Sequence, residues 1–344
     1  MIRTLACLLV LTLLNGCASL SYYSQAVRGH LALLADSRPV DTVLADDSTD
    51  REVAGRLALS QQILDFAHDE MALPDNGSYR HYVDVKRPYV VWTVIAAGEF
   101  SVDAKVWCYL FAGCAGYRGY FAEQAARREA EALRQKGWDV TVSGAAAYST
   151  LGWLDDPLLS TMLYREDSHL VETIVHELAH QRFYVKGQTC LNESFATAVA
   201  IEGVRRWFAT KGDSEAFQAY LRDRDLDRAF DGLLLRTRDR LAALYARDIG
   251  PEEMRRGKQD IFAGLKHDYA RFAEDNADHR YDRWMARDLN NAHMAHVAAY
   301  HQLEPEFTAM IAERGGDMAR FYADLDRFGK NLPFAGDCSR ANPE

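Results

Sequence analysis

The sequence lacks several features that would assign it to a specialised class of protein. Basic residues are in the minority: 40 Lys and Arg stand against 50 Asp and Glu, a formal net charge of −10. This balance and the lack of a basic patch in the sequence argue against a nucleic-acid partner. Neither internal repeats nor low-complexity tracts occur. The composition, with 48% hydrophobic residues, is globular and sufficient for one large core or two close-packed lobes.

Long apolar runs are also scarce. The run Leu5–Leu14 has the length of a signal-peptide core and is too short for a stable membrane span. Residues 14–17, Leu-Asn-Gly-Cys, are the pattern that lipoprotein signal peptidase cuts, so residues 1–16 are predicted to be a signal peptide and Cys17 the lipidated N-terminus. The alternative is an ordinary secretory signal with an incidental cysteine. Several acyl chains suffice for stable anchoring, and Ala18 after the cysteine predicts an outer-membrane lipoprotein facing the periplasm.

Cysteine is sparse, with six in the chain. One leaves with the signal peptide and Cys17 is the predicted lipidation site, so four remain. An even number in an oxidising compartment predicts disulfides, and four cysteines allow three connectivities. We favour a local bridge between Cys108 and Cys114 and a second bridge between Cys190 and Cys338. A cysteine-rich zinc site is the rival interpretation, which the lack of a Cys-x-x-Cys pair disfavours.

The most informative stretch contains His176, Glu177 and His180, followed after a turn by Glu193. Residues four apart on a helix lie on one face, so the two histidines can direct their rings toward one metal ion. Glu177 lies beside them and can reach a water bound there. A catalytic zinc takes three protein ligands and a water, and two His with one Glu is a known set. Glu193 is therefore the predicted third ligand of a Zn²⁺ cofactor.

The surrounding pattern supports two helices. Residues 171–185 carry an apolar stripe at spacings of three and four, with the two histidines on a neighbouring face. A second helix is predicted from Asn192, because an acidic residue follows in its first turn. The alternative is a pair of core histidines that only form hydrogen bonds with their surroundings.

His-Glu-x-x-His followed by Asn-Glu-x-x-Ala resembles the gluzincin metallopeptidases. The run 191–197, Leu-Asn-Glu-Ser-Phe-Ala-Thr, is similar to the corresponding run of the aminopeptidase N family, although the gap between His180 and Glu193 is shorter here. The whole mature chain more closely resembles a family of bacterial lipoproteins described as predicted zinc aminopeptidases. Three further stretches carry that likeness: residues 113–121, 147–157 and 290–292.

This resemblance implies a mostly helical α+β fold, a zincin-like catalytic domain with a small mixed sheet and a helical C-terminal part. The expected division is a signal peptide (1–16), an N-terminal anchor and helix (17–50), a core with the sheet and metal helices (51–210) and helices packed on that core (211–344). The implied activity is that of a zinc peptidase, specifically an aminopeptidase, that hydrolyses peptides with Glu177 as the general base.

Zincins carry an edge strand before the metal helix, and an extended substrate pairs with it. Residues 145–150, which include Tyr148, are predicted to be that strand, with a plain buried strand or loop as the alternative. The motif by which aminopeptidase N relatives hold the free substrate amine is missing. Glu99, Asp155 and Asp156 are the candidates for this role, and each could equally be structural.

A zinc peptidase also needs a donor for the negative charge that develops on the scissile carbonyl. His293, His296 and Tyr300 share a helical face in the C-terminal part and are candidates for this role, with Tyr300 favoured because a phenol can donate and stay neutral. A polar contact between helices is the alternative. Two further hypotheses remain open: a zinc endopeptidase, and a non-catalytic, zinc-stabilised binding lipoprotein.

Overall fold

A computed structural model describes residues 22–109, 113–150, 152–163, 166–297 and 303–329. The predictions for Cys17, Tyr300 and Cys338 lie outside these residues. Within the described ranges the chain is mostly helical and has small sheets, which confirms the predicted α+β class. None of the helices in these ranges is long and apolar enough to cross a membrane.

Three helices form the N-terminal part. Residues 22–36 form α1, Val40–Leu44 form α2 and Arg51–Asp69 form α3. Helix α3 begins where the Asp50 carboxylate accepts hydrogen bonds from two backbone N–H groups of the first turn. This satisfies donors that have no partner within the helix, which is why the helix begins there.

The strands form three small sheets. They are β1 (Arg38–Pro39), β2 (His81–Val83), β3 (Val91–Ala97), β4 (Trp107–Tyr109), β5 (Gly113–Ala115), β6 (Arg118–Tyr120), β7 (Asp139–Ala145) and β8 (Leu158–Leu159). The antiparallel sheet β6-β3-β7 has Val94 paired with Arg118 on one side and Val142 on the other. In the sheet β1-β2-β8, β2 runs parallel to β8, and β4 with β5 forms a hairpin.

The remaining helices follow the strands or lie between them. They are α4 (Glu123–Arg134), α5 (Ser160–Leu163), α6 (Asp167–Arg182), α7 (Thr189–Lys211), α8 (Ser214–Tyr245), α9 (Pro251–Asn276), α10 (Asp282–Met285), α11 (Asn291–Val297), α12 (Glu304–Glu313) and α13 (Met318–Phe328). Helix α4 covers the sheet β6-β3-β7 and buries Ala126, Ala130 and Leu133 against it.

The largest core cluster holds helices α6 and α7 in place. It combines apolar side chains of α3, α6, α7, α12 and α13. Phe195 of α7 lies at its centre, with ring centroids 5.7 Å from Phe307 and 6.1 Å from Phe321. The last helices therefore return to pack on α7, so the predicted C-terminal part (211–344) shares its core with the preceding region.

Three boundaries differ from the sequence-based expectation. Helix α6 covers Asp167–Arg182, whereas residues 171–185 are the predicted range. Strand β7 ends at Ala145, and residues 146–150 are irregular, so the predicted edge strand over 145–150 is wrong. Strand β7 is one edge of the sheet and β6 is the other, because each pairs only with β3 in this sheet of the described chain. Helix α7 begins at Thr189, three residues before the predicted start at Asn192.

Candidate metal centre

Helices α6 and α7 are packed closely along their length. The apolar stripe predicted for α6 is buried, with Val171, Ile174 and Val175 fully covered. Gly203 makes the close approach of the helices possible, because a Cβ atom there would lie 3.0 Å from Cγ1 of Val175. The buried stripe fixes the rotation of α6 and directs the neighbouring face, with its two histidines, toward the start of α7.

The two histidines and Glu193 come together at this point. The Nε2 atoms of His176 and His180 are 3.1 Å apart. A carboxylate oxygen of Glu193 lies 3.3 Å from Nε2 of His176, and the other lies 3.7 Å from Nε2 of His180. These three side chains are a group that could hold a metal ion, with one ligand atom from each within 4.8 Å of the others.

The size of this triangle fits a divalent cation of zinc-like radius. Zinc bonds of about 2.0–2.1 Å in a tetrahedron place neighbouring ligand atoms about 3.3 Å apart. The two Nε2 atoms are 3.1 Å apart, and the nearest carboxylate oxygen to each, a different one for each histidine, lies at 3.3 and 3.7 Å, so the separations are close to that value. Two imidazoles and one carboxylate supply three of four tetrahedral positions and leave one open, which is the pattern of catalytic rather than structural zinc sites.

The local charges favour a cation at this position. Burial alone would lower the pKa of His176, but the hydrogen bond to Glu193 and the charges of Glu193, Glu177 and Glu172 raise it. Burial opposes ionisation of Glu193, yet its interactions with the two histidines hold its pKa well below the usual range. The carboxylates thus attract positive charge to the ligand atoms, either as protons or as a metal ion.

Asn192 anchors the loop that brings Glu193 into place. Its side chain is buried and forms a reciprocal pair with Val185: Oδ1 accepts from the Val185 N–H at 2.8 Å, and Nδ2 donates to the Val185 carbonyl at 2.9 Å. The Asn192 amide therefore forms its hydrogen bonds across the loop and does not cap the start of a helix. Helix α7 begins before Asn192, at Thr189. Ser194 adds a second tie, because its hydroxyl accepts from the Leu303 N–H at 3.1 Å.

Glu177 lies beside the ligands in an electrostatic environment suited to proton transfer. Burial raises the pKa of its carboxyl, the two histidines lower it, and Glu193 and Asp156 raise it again. A carboxyl with a raised pKa is a better acceptor and donor of protons near neutral pH.

The structure connects Asp156 to this environment. Its Oδ2 accepts hydrogen bonds from the Thr150 N–H at 2.8 Å and the Ser149 hydroxyl at 3.2 Å. Its Oδ1 is buried and has no hydrogen-bond partner among the residues described. Burial raises the pKa of Asp156. Its neighbour Asp155 is exposed to solvent.

Two other residues proposed for substrate binding have structural partners. The Glu99 carboxylate forms an ion pair with Arg255 of α9 at 2.7 Å. Nε2 of His293 lies 3.1 Å from the Thr141 hydroxyl, and its Nδ1 lies 3.0 Å from Oδ1 of Asn290. His293 also lines a small cavity with residues of α4 and β7. These contacts support the structural alternative for Glu99 and His293.

His296 and Tyr148 are placed differently. Burial lowers the pKa of His296, and the charge of Glu193 raises it, so this imidazole lies within electrostatic reach of the metal ligand. Tyr148 forms a hydrogen bond through its hydroxyl with Nδ1 of His30 on α1, and its ring packs edge-on against Phe121. Of the three predicted donors, Tyr300 lies outside the described residues.

Two tyrosines near the ligands were missed by the sequence-based reasoning. The ring of Tyr184 lies 6.5 Å from that of His180, and Tyr184 is partly exposed. Tyr117, also partly exposed, has its pKa raised by burial and then by the charges of Glu193 and Tyr184. The proximity of Tyr184 to the motif was its only signal in the sequence, and Tyr117 gave none beyond the resemblance.

The hairpin β4-β5 lies next to the loop between the metal helices. A disulfide joins Cys108 and Cys114 across it. A Cβ atom at Gly113 would lie 3.0 Å from the Lys186 side chain, so the hairpin is in contact with that loop. Cys190 is disulfide-bonded as well, and its proposed partner Cys338 lies outside the described residues.

Two histidines on one helix and a glutamate on the next, with an acid beside them and an open position, define a candidate metal-dependent catalytic centre. In a comparison with protein families, residues 21–334 match a family described as "Putative aminopeptidase". The chain belongs to that family. Searches of curated proteins and of solved structures gave no significant match.

Proposed function

We propose that this protein is a zinc-dependent peptidase, and specifically an aminopeptidase, with the metal held by His176, His180 and Glu193. The observation that carries this proposal is the ligand triangle with Glu177 beside it, within a chain that belongs to an aminopeptidase family. A zinc ion bound there supplies Lewis-acid polarisation of a carbonyl and a lowered pKa for a bound water.

Glu177 supplies the acid–base chemistry. It takes a proton from the water as the water oxygen bonds to the scissile carbonyl carbon, and it returns that proton to the amine nitrogen as the C–N bond breaks. The raised pKa that burial gives its carboxyl suits both steps. His296 and Tyr184, together with the earlier candidate Tyr300, are proposed donors to the carbonyl oxygen as it gains negative charge.

The preference for a free N-terminus is assigned to Asp156. An aminopeptidase must recognise the positive charge of the substrate amine, which requires an anion near the general base. Asp156 is within electrostatic reach of Glu177, and its buried Oδ1 has no hydrogen-bond partner in the described part of the chain. A substrate ammonium at Asp156 would supply the missing counter-charge. Tyr148 and Asp155 are retained as residues of the adjoining substrate-binding segment.

We also propose that the chain is anchored in the outer membrane through a lipid on Cys17 and faces the periplasm. The support is the signal-like run that ends in the lipidation pattern at residues 14–17. Oxidised cysteines at 108 and 114 agree with an oxidising compartment.

The deciding experiment compares the purified protein with its Glu177→Gln variant on two substrates. One is a fluorogenic aminoacyl amide, and the other is an internally quenched peptide with a blocked N-terminus. Glu177→Gln should keep one zinc per chain and lose about 10²–10⁴-fold in kcat. Glu215→Gln, at an exposed position of α8, is the matched control and should keep full activity.

Each outcome separates the candidate functions. Cleavage of the aminoacyl amide that is abolished by chelator and restored by zinc supports the aminopeptidase, and Asp156→Asn should then raise KM for that substrate. Cleavage of the blocked peptide alone indicates an endopeptidase. Stoichiometric zinc without cleavage of either substrate refutes the enzyme and leaves the zinc-stabilised binding lipoprotein.

A further inference from the structure

Helix α1 presents an apolar face to solvent. Val27 and Leu31 are four residues apart and are 56% and 57% exposed, respectively. The other exposed positions of α1 are Arg28, Ala32 and Ala35, together with Asp36 at the C-terminal end of the helix. We call Val27, Arg28, Leu31, Ala32 and Ala35 the outer face of α1. A solvent-facing side of a helix is normally dominated by polar residues, so this composition suggests that something other than water contacts it.

The outer face cannot be hidden by rotation of the helix, because the opposite side is fixed to the body. Tyr22 packs against Tyr120 with ring centroids 5.6 Å apart, and the Arg118 guanidinium lies 4.1 Å from the Tyr22 ring centroid. Gln25 accepts a hydrogen bond from the Phe121 N–H at 3.2 Å. His30 forms the hydrogen bond with Tyr148 described above. The rotation of α1 is therefore set, and Val27 and Leu31 point away from the protein.

The position of α1 in the chain restricts what can lie against this face. If Cys17 carries lipid, four residues separate it from Tyr22, and a chain of that length spans at most about 18 Å. Helix α1 must then begin close to the membrane surface. A small apolar face with an adjacent cation is the pattern of helices that lie in the membrane interface, where a basic side chain meets anionic headgroups.

We infer that the outer face of α1 lies on the phospholipid surface and forms a second, peripheral contact beside the lipid anchor. This inference rests on the proposed lipidation of Cys17. Two large apolar side chains fall well short of the roughly 800 Å² per partner that a stable dimer buries, which makes a second copy of this chain a poorer occupant. Arg28 gives the N-terminal half of the face a local positive charge in a chain of net charge −10, and the exposed Asp36 lies two turns further along, at the end of the helix away from Cys17.

This contact would also orient the candidate metal centre. His30, on the same helix as Val27 and Arg28, forms a hydrogen bond with Tyr148 in the segment between β7 and Asp156. One side of α1 would contact the lipid and the other side contacts this segment. Helix α1 would therefore set the distance and orientation of the candidate metal centre relative to the membrane.

The test uses the full-length lipidated protein in vesicles of phosphatidylethanolamine and phosphatidylglycerol. An environment-sensitive fluorophore is attached to a cysteine introduced as Val27→Cys or Leu31→Cys, and the quencher is a lipid with a nitroxide at a shallow acyl position. Gln259→Cys, an exposed position of α9, is the matched control. The inference predicts loss of most of the emission at positions 27 and 31 and little loss at 259.

The outcomes distinguish the inference from the proposal on which it depends. If the protein sediments with vesicles and the labels at 27 and 31 are quenched no more than the label at 259, the inference fails and the anchor stands. If the wild-type protein does not sediment with vesicles, the anchor and the inference both fail. If the label at 259 is strongly quenched, to the same extent as or more than those at 27 and 31, a different face of the protein lies on the membrane and the inference is also refuted.

Discussion

Replacement of Asn192 by alanine tests how the loop between the metal helices is held. The substitution removes the side-chain oxygen that accepts from the Val185 N–H at 2.8 Å and the side-chain nitrogen that donates to the Val185 carbonyl at 2.9 Å. Asn192 is 1% exposed and Val185 7%, so water cannot readily replace the lost bonds. An unsatisfied buried donor or acceptor costs about 1–3 kcal/mol, so the two groups should destabilise the fold by about 2–6 kcal/mol.

The same change should weaken metal binding, because Glu193 follows Asn192 directly. Loss of a residue that positions a ligand typically reduces metal affinity by about 10–100-fold. We therefore expect Asn192→Ala to lower both the free energy of unfolding without metal and the affinity for zinc. Urea unfolding monitored by circular dichroism in chelator gives the first quantity, and competition with a chelating dye gives the second.

Asn276→Ala is the control for this measurement. Asn276 lies at the end of α9, where its exposed side chain donates to the Phe272 carbonyl at 2.8 Å. Its loss should change the free energy of unfolding by no more than about 0.5 kcal/mol. If Asn192→Ala is as stable as Asn276→Ala and binds zinc as tightly as the wild-type protein, the reciprocal pair does not hold the loop and the reasoning is refuted.

Three further predictions follow from described contacts. Burial lowers the pKa of His293 from 6.5 to about 4, so between these values the unfolded chain binds a proton that the folded chain does not. Stability should fall as pH decreases through this window, by up to about 3 kcal/mol, and urea unfolding at each pH should show a shallower decline for His293→Gln. Replacement of both Cys108 and Cys114 by alanine should reduce the free energy of unfolding by about 2 kcal/mol, and an unchanged urea midpoint would contradict this. Gly203→Val should force α6 and α7 apart at Val175 and destabilise the fold by about 1–3 kcal/mol. Thermal melts with and without zinc measure this loss, and an unchanged melting temperature in both conditions would show that the helices tolerate the added volume.

The residues that could be predicted from the sequence are those whose relation is local. His176 and His180 share a helix face because helical geometry alone places residues four apart on one side. The burial pattern of α6 followed from its apolar spacing, and the local bridge between Cys108 and Cys114 spans one hairpin. The ligand set that a catalytic zinc takes added Glu193, after the turn that follows the two histidines, although the helix that carries it begins earlier than expected.

Residues related by long-range packing could not be predicted in this way. The placement of Asp156 near Glu177, the placement of Tyr117 near Glu193 and the contact between His30 and Tyr148 relate segments that are distant in sequence. The start of α7 shows the same limit: Asn192 has the residue type of a helix cap, yet its amide bonds back to Val185.

The sequence by itself thus determined that His176, Glu177 and His180 lie close together on one helix, because their spacing is fixed by one helical turn. Only the tertiary structure decided how those side chains converge and what surrounds them. Convergence depends on the close approach of α6 and α7 at Gly203 and on the loop held by Asn192, and neither packing distance nor loop path is encoded in local spacing.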